Sequence, residues 1–355
     1  MIKPASTFAI LLIVVSFGAI GCKKDPPDPP PPPPPSLHWG ERIQDWSDHG
    51  TNPVFTTSSN AWDSSVVLSP FVLKTGNTYS MWYTGSKDIN DRVAVGYATS
   101  SDGIQWAKHS GNPVLEGRDG FFDEEGVFAP VVIQDGDTLR MWYGAGKNPD
   151  GAKIGYATSL DGISWNRYAA AVMQTSPIGE WYSDALIPGS VIKEGGMYKM
   201  WFSGGVGSMA GSTTGTKTGI GYATSADGRS WTVYNNDATT AAPYELSDPI
   251  LNFGADGEWD ANEMFTPSVL KTDLGYELWY SGWTPTTGQH IGYAYSDDGI
   301  EWTKHAQNPV FESKPWALGN VFPSVIWDGA NNYRIWYQGW MTEHSAGIGY
   351  ATMMK

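Results

Sequence analysis

A phrase of the form Met-Trp-Tyr, then Gly-Tyr-Ala-Thr-Ser-x-Asp-Gly-x-x-Trp, returns along this chain about every 60 residues. Its first half reads Met81-Trp82-Tyr83, Met141-Trp142-Tyr143, Met200-Trp201-Phe202, Leu278-Trp279-Tyr280 and Ile335-Trp336-Tyr337. The second half begins at Gly96, Gly155, Gly221, Gly292 and Gly349. Short β-type runs separated by Gly/Asp turns at such a period mean one sheet per repeat. The turns Ser101-Asp102-Gly103, Leu160-Asp161-Gly162, Ala226-Asp227-Gly228 and Asp298-Gly299 are hairpin signals, because glycine accepts positive φ without penalty.

The fifth repeat reaches Met354-Lys355 without the "DGxxW…NPV" strand of the others. That strand stands at the other end, where residues 43–55 parallel residues 104–115 and 300–311. The pattern predicts an all-β, five-bladed β-propeller over residues 38–355, with four-stranded antiparallel blades. Its N-terminal segment supplies the outer strand of the last blade, and closure removes the open sheet edges that invite aggregation.

Charged residues make up only 17% of the 355, while Trp and Tyr number 18 each. Some of those rings are expected at the surface, where flat aromatic faces suit sugars or another protein. A formal net charge of −15 argues against nucleic acid, whose phosphates call for a basic surface.

The lone cysteine, Cys22, follows Lys3 and an apolar run from Phe8 to Ile20 that is too short to span a bilayer comfortably. Residues 1–22 resemble a bacterial lipoprotein signal, which implies lipidation of Cys22 and anchoring in the cell envelope at the outer membrane, with surface exposure as a further expectation. Residues 23–37 are a proline-rich spacer, semi-rigid and roughly 30 Å long over its proline run. The membrane is thus contacted only through the lipid.

In four-strand blades the blade-linking segments and the loops between second and third strands share one rim. That rim carries Trp62-Asp63, Phe122-Asp123-Glu124-Glu125, Trp181-Tyr182-Ser183-Asp184, Trp259-Asp260-Ala261-Asn262-Glu263 and Trp316 to Asn320. Across the loops stand Arg92, Lys153, Lys217, Trp283, His290, Trp340, Glu343 and His344. Residues repeated around the ring, such as the aromatic-Asp pairs and His49, His109 and His305, read as scaffold. Those that break the pattern read as function.

Runs such as "YSMWYTG…VAVGYATSSDGIQWAKHSGNPVLE" resemble the five-bladed propellers of glycoside hydrolase families 43, 32 and 130, including their lipoprotein members. The resemblance covers roughly residues 40–355 and implies a carbohydrate-active protein. In those enzymes one acid protonates the leaving oxygen and another activates water or attacks the sugar. Many of them place the acids directly before an inner-strand proline. Here those positions read Leu68-Ser69-Pro70, Phe128-Ala129-Pro130, Leu186-Ile187-Pro188, Phe265-Thr266-Pro267 and Val321-Phe322-Pro323, all without an acid. A carboxylate pair must therefore come from Glu125, Asp184 or Glu263, upstream.

Asp63, Glu124, Arg92, Trp283, His290, Asn320 and Trp340 are the expected substrate contacts, the two tryptophans as stacking platforms. No cofactor and no catalytic metal are expected; a structural cation held in the channel by His290 or His344 is an option the family resemblance brings. The Gly205–Gly219 stretch reads as a flap over the rim. The expectation is a monomer with a carbohydrate ligand, acting as a glycoside hydrolase; non-catalytic glycan binding and protein interaction are the alternatives.

Overall fold

A computed structural model describes residues 43, 45–88, 92–146, 152–206, 217–312, 314–328, 332–342 and 345–354. Cys22, the proline spacer, Glu343, His344 and most of the expected flap lie outside the described residues. The chain divides into two units, residues 1–38 and 39–355, and all described residues belong to the second.

Among the described residues, twenty-one strands build five sheets. Strand β1 (Ser47–Asp48) comes first and returns below. Blade I holds β2 (Val66–Thr75), β3 (Thr78–Ser86), β4 (Ala94–Ser100) and β5 (Ala107–Lys108). Blade II holds β6 (Val127–Asp135), β7 (Thr138–Ala145), β8 (Lys153–Ser159), β9 (Asn166–Arg167) and β10 (Met173–Gln174), the last two both pairing with β8. Blade III is β11 (Ala185–Glu194), β12 (Met197–Val206), β13 (Lys217–Ser225) and β14 (Thr232–Val233). Blade IV is β15 (Glu263–Thr272), β16 (Gly275–Thr284), β17 (Gly288–Ser296) and β18 (Thr303–Lys304). Blade V is β19 (Asn320–Trp327), β20 (Asn332–Thr342) and β21 (Ser345–Met354). Its outer strand is β1, with Ser47 opposite Thr352 and Asp48 opposite Ala351. The ring closes as its repeats require, and no helix occurs among the described residues.

The second strand of each blade is buried on both faces, since a neighbouring sheet covers each side. Its sequence is accordingly a continuous apolar run rather than an alternation. Trp82, Trp142, Trp201, Trp279 and Trp336 are all essentially inaccessible. A buried indole N–H needs an acceptor, and four find one in the Asp-Gly hairpin of the following blade. Trp82 donates to the Gly162 carbonyl at 2.9 Å, Trp142 to Gly228 at 2.8 Å, Trp201 to Gly299 at 2.8 Å and Trp336 to Gly103 at 2.7 Å. Trp279 faces blade V, whose outer strand β1 follows no such hairpin, and its Nε1 has no partner among the described residues.

At the axis every inner strand breaks register, as between Leu68 and Phe71 or Val321 and Ser324. The residue before the proline takes the left-handed region at Ser69 (φ 47°), Ala129 (φ 46°), Thr266 (φ 49°) and Phe322 (φ 53°). Such backbone is strained by about 1–3 kcal/mol per residue and persists only where neighbours hold it. Here the preceding blade does. The Ala129 amide donates to Thr84 Oγ1 at 3.0 Å, Thr266 to Ser203 Oγ at 2.6 Å, Phe322 to Ser281 Oγ at 2.9 Å and Ser69 to Gln338 Oε1 at 3.2 Å. The result is a tight apolar plug, leaving a cavity of only about 20 Å³ lined by these residues and their prolines.

Candidate functional site

The plug carries no acid, so any carboxyl chemistry sits above it, where the inner strands begin. Glu263 opens β15, directly opposite Trp283 of β16 in the antiparallel register. It is only 4% exposed, and its Oε1 has no hydrogen-bond partner among the described residues. Burial alone pushes its carboxyl up to about 7, because an apolar surround disfavours the charged form.

Neighbouring groups extend this point into a sector across blades IV and V. Trp283 stands opposite Gln289, and Gln289 rests on Gly319, where a Cβ would lie 2.8 Å from its own Cβ. The Gly319 carbonyl accepts the Trp340 amide at 3.1 Å. Asn320 follows, fully buried at the start of β19, with Nδ2 donating to the Glu312 carbonyl at 2.6 Å and Oδ1 without a partner among the described residues. His290, two residues before Gly292, hydrogen-bonds the Thr287 carbonyl through Nε2 at 2.8 Å. Glu263, Trp283 and Gln289 thus share one face of blade IV, with Asn320 opening the adjoining blade V. His290 lies on the other face of blade IV, its ring 6.3 Å from that of Trp259, and Trp340 on the face of blade V opposite to Asn320; both Trp283 and Trp340 are half-buried.

The remaining candidates belong to blades I to III. Glu125 is exposed; Glu124 accepts the Gly120 amide at 2.8 Å; Arg92 is exposed and pairs with Asp119 at 2.8 Å. Asp184 is half-buried just before β11, its amide bonded to the Gly205 carbonyl at 3.1 Å. Asp63 is fully buried, and its Oδ2 accepts both the Tyr83 hydroxyl at 3.0 Å and Lys108 Nζ at 2.6 Å. Asp123 repeats that arrangement with Tyr143, Arg118 and Arg167, and Asp260 with Tyr280 and Lys304. This aspartate ties lead-in, second strand and outer strand of one blade together.

Two contributors escape sequence reasoning. Gln289 and Gly319 meet across a blade boundary, and nothing in their spacing signals it. Among the described residues no group of three or more His, Cys, Asp and Glu side chains is placed to hold a metal ion.

Residues 34–182 match the family described as Glycosyl hydrolases family 32 N-terminal domain. A solved structure of a BT0996 complex with RGII superposes with a TM-score of 0.69 at 17% identity, covering 88% of this chain and 94% of that one. A second, from work on the GH130 mannoside phosphorylases and hydrolases of β-1,2 mannosidic linkages, gives 0.65 at 19% identity, covering 86% and 93%. The chain is a five-bladed β-propeller, a fold it shares with these solved structures, and over residues 34–182 it is similar to glycosyl hydrolases of family 32. The chain is also 33% identical over 178 residues to an uncharacterized protein of Mycobacterium tuberculosis, a span of 47% of this chain and 54% of the relative. The propeller therefore spans about half the length of the curated relatives it matches.

Proposed function

We propose that the protein is carbohydrate-active, taking a poly- or oligosaccharide at the rim of blades IV and V with Glu263 as proton donor. One observation carries this reading: a carboxyl that is buried, raised to about 7 and left with an oxygen that has no hydrogen-bond partner among the described residues. A group protonated near neutrality can give its proton to a glycosidic oxygen as that bond breaks. The candidate for the second carboxylate, which activates water or attacks the sugar, is Asp184 at the start of the adjoining blade III; Glu125 is exposed on blade II, one blade further from Glu263. Trp283 and Trp340 offer ring faces to the sugar, and Asn320 Oδ1, without a partner among the described residues, accepts from one of its hydroxyls. The neighbours named for RGII and for β-1,2 mannosidic linkages supply the first glycans to try.

The test is turnover of such a glycan by wild type and by Glu263→Gln. Loss of product with unchanged binding supports the reading; equal turnover by the variant ends it. Binding by wild type with no product at all supports the second reading, a glycan-binding propeller, which the acid-free ring around Ser69, Ala129, Thr266 and Phe322 favours.

We further propose that Cys22 is lipidated and holds the propeller at the outer membrane behind the proline spacer, as a monomer. Radiolabelled palmitate should enter wild type and not Cys22→Ala, and the variant should leave the membrane fraction.

A further inference from the structure

On the rim opposite the candidate site, blades II and III enclose a groove of about 550 Å³. Among its lining are Arg140, Arg167, Lys193 and Arg229, with Asp227 as its single acid. For a chain of net charge −15 with 22 basic residues in all, four cations in one groove is a marked concentration.

Their carboxylate partners are too few to neutralise them. Arg140 and Lys193 share Asp135, at 2.7 and 2.6 Å. Arg167 shares the buried Asp123 with Arg118, at 3.4 and 3.1 Å. Arg229 lies 3.5 Å from Asp227. Five cations face three carboxylates, an excess of two positive charges. Hydrogen bonds from Lys193, then Tyr198, hold the Asp135 carboxyl down to about 2, so it stays ionised and fixes both cations in place. Each arginine has five N–H donors, and Arg140 uses Nε on Asp135 and Nη1 on the Tyr156 hydroxyl. Donors remain for a ligand.

The cations on Asp135 recur around the ring, since Lys199 and Lys271 meet at Glu194 and Arg334 pairs with Asp328 in the same way; Arg229 is what sets this groove apart. The position after Asp-Gly is Ile104, Ile163 and Ile300 in three hairpins, and Arg229 in blade III. The cleft of about 490 Å³ beside the blade IV hairpin has the opposite character, with Asp297, Asp298 and Glu301 in its wall.

We propose that the groove between blades II and III is a second binding site, for the carboxylate of an acidic sugar unit. Guanidinium forks match a carboxylate bidentately. Tyr168, 43% exposed with the Arg229 guanidinium 5.5 Å over its ring, gives the sugar a flat face. The negative field of the whole chain repels a densely charged polyanion, which favours a ligand whose charges are spaced one per sugar.

Isothermal titration of the purified protein with glucuronate and galacturonate trisaccharides, against their neutral counterparts, tests this. The acidic sugars should bind and the neutral ones should not, with affinity falling as salt rises. Arg229→Ile, which installs the residue of the other hairpins, should weaken binding about tenfold, the loss of a charge-assisted contact; Lys193→Gln should act in the same direction. Glu263→Gln should leave it unchanged, which separates this site from the rim of blades IV and V. The proposal is overturned if neither uronate binds, if neutral sugars bind equally, or if both groove variants bind as wild type. Displacement of the uronate by inorganic phosphate or phosphatidylglycerol vesicles at lower concentration would also overturn it, reassigning the groove to phosphate.

Discussion

The Tyr337 hydroxyl donates to Asp48 Oδ1 at 2.6 Å, so β1 completes blade V chemically as well as geometrically. In blades I, II and IV the corresponding tyrosine bonds the lead-in aspartate, and a cation from the outer strand faces it: Lys108, Arg167 or Lys304. Blade V inverts this. Its lead-in carries Ala317, whose Cβ lies against Gly339 just as the Asp63 Cβ lies against Gly85, and the outer strand supplies the acid. Blade III needs neither, because Phe202 has no hydroxyl and Val233 takes the cation's place.

Asp48→Ala should therefore destabilise the protein by about 1–3 kcal/mol, the penalty for leaving a buried hydroxyl without its acceptor. Asp48→Lys and Ala317→Asp should each destabilise alone. Together they rebuild the arrangement of blade I, and urea denaturation should show a favourable coupling of about 1 kcal/mol or more.

The indole ring of hydrogen bonds makes a paired prediction. Trp201→Phe removes the shorter of two indole hydrogen bonds to the Gly299 carbonyl, leaving that from Trp302 at 3.1 Å, whereas Trp279→Phe removes an N–H that has no acceptor among the described residues. Both lose similar packing. Thermal or urea unfolding should find Trp201→Phe the worse by about 1 kcal/mol.

The glycine that opens each "Gly-Tyr-Ala" is required by a close approach. A Cβ on Gly292 would stand 2.6 Å from the Tyr280 ring and 2.7 Å from that of Trp259, both held by the blade. Gly292→Ala should destabilise by about 1–3 kcal/mol through overpacking, while Gly50→Ala, with nothing within 4 Å, should stay near wild type.

Blade number, hairpins and closure were legible because each repeat carries its own turn and strand signals, and residues 43–55 echo residues 104–115. The repetition of Trp62-Asp63 and Trp259-Asp260 also marked those acids as turn-holding, though the tyrosine that receives each was not visible. What escaped depends on contacts between blades. Positive φ at Ala129 and Phe322 contradicts local preference and survives through Thr84 and Ser281 of the preceding sheets. The candidate acids Glu125, Asp184 and Glu263 look alike in sequence, yet only Glu263 is buried, because only it falls inside an inner strand. Arg229 stands out only once the hairpins are aligned.

Glu263 should leave a signature in stability as well as turnover. Its pKa rises from an ordinary 4.5 to about 7 on folding, so the folded state holds its proton more tightly. Below about pH 4.5 both states are protonated and the carboxyl imposes no penalty. Between 4.5 and 7 the unfolded chain ionises first, so stability falls with rising pH, and above 7 the loss is complete at roughly 3 kcal/mol. Glu263→Gln cannot ionise and should lose that slope. Urea midpoints for the two proteins should converge near pH 4.5 and separate toward pH 8, with the glutamine variant the more stable. Turnover, if Glu263 is the proton donor, should decline over the upper part of the same interval, as pH passes 7 and the acid form disappears. Parallel curves for both proteins across this range would mean that the carboxyl is solvated, and would remove it from the mechanism.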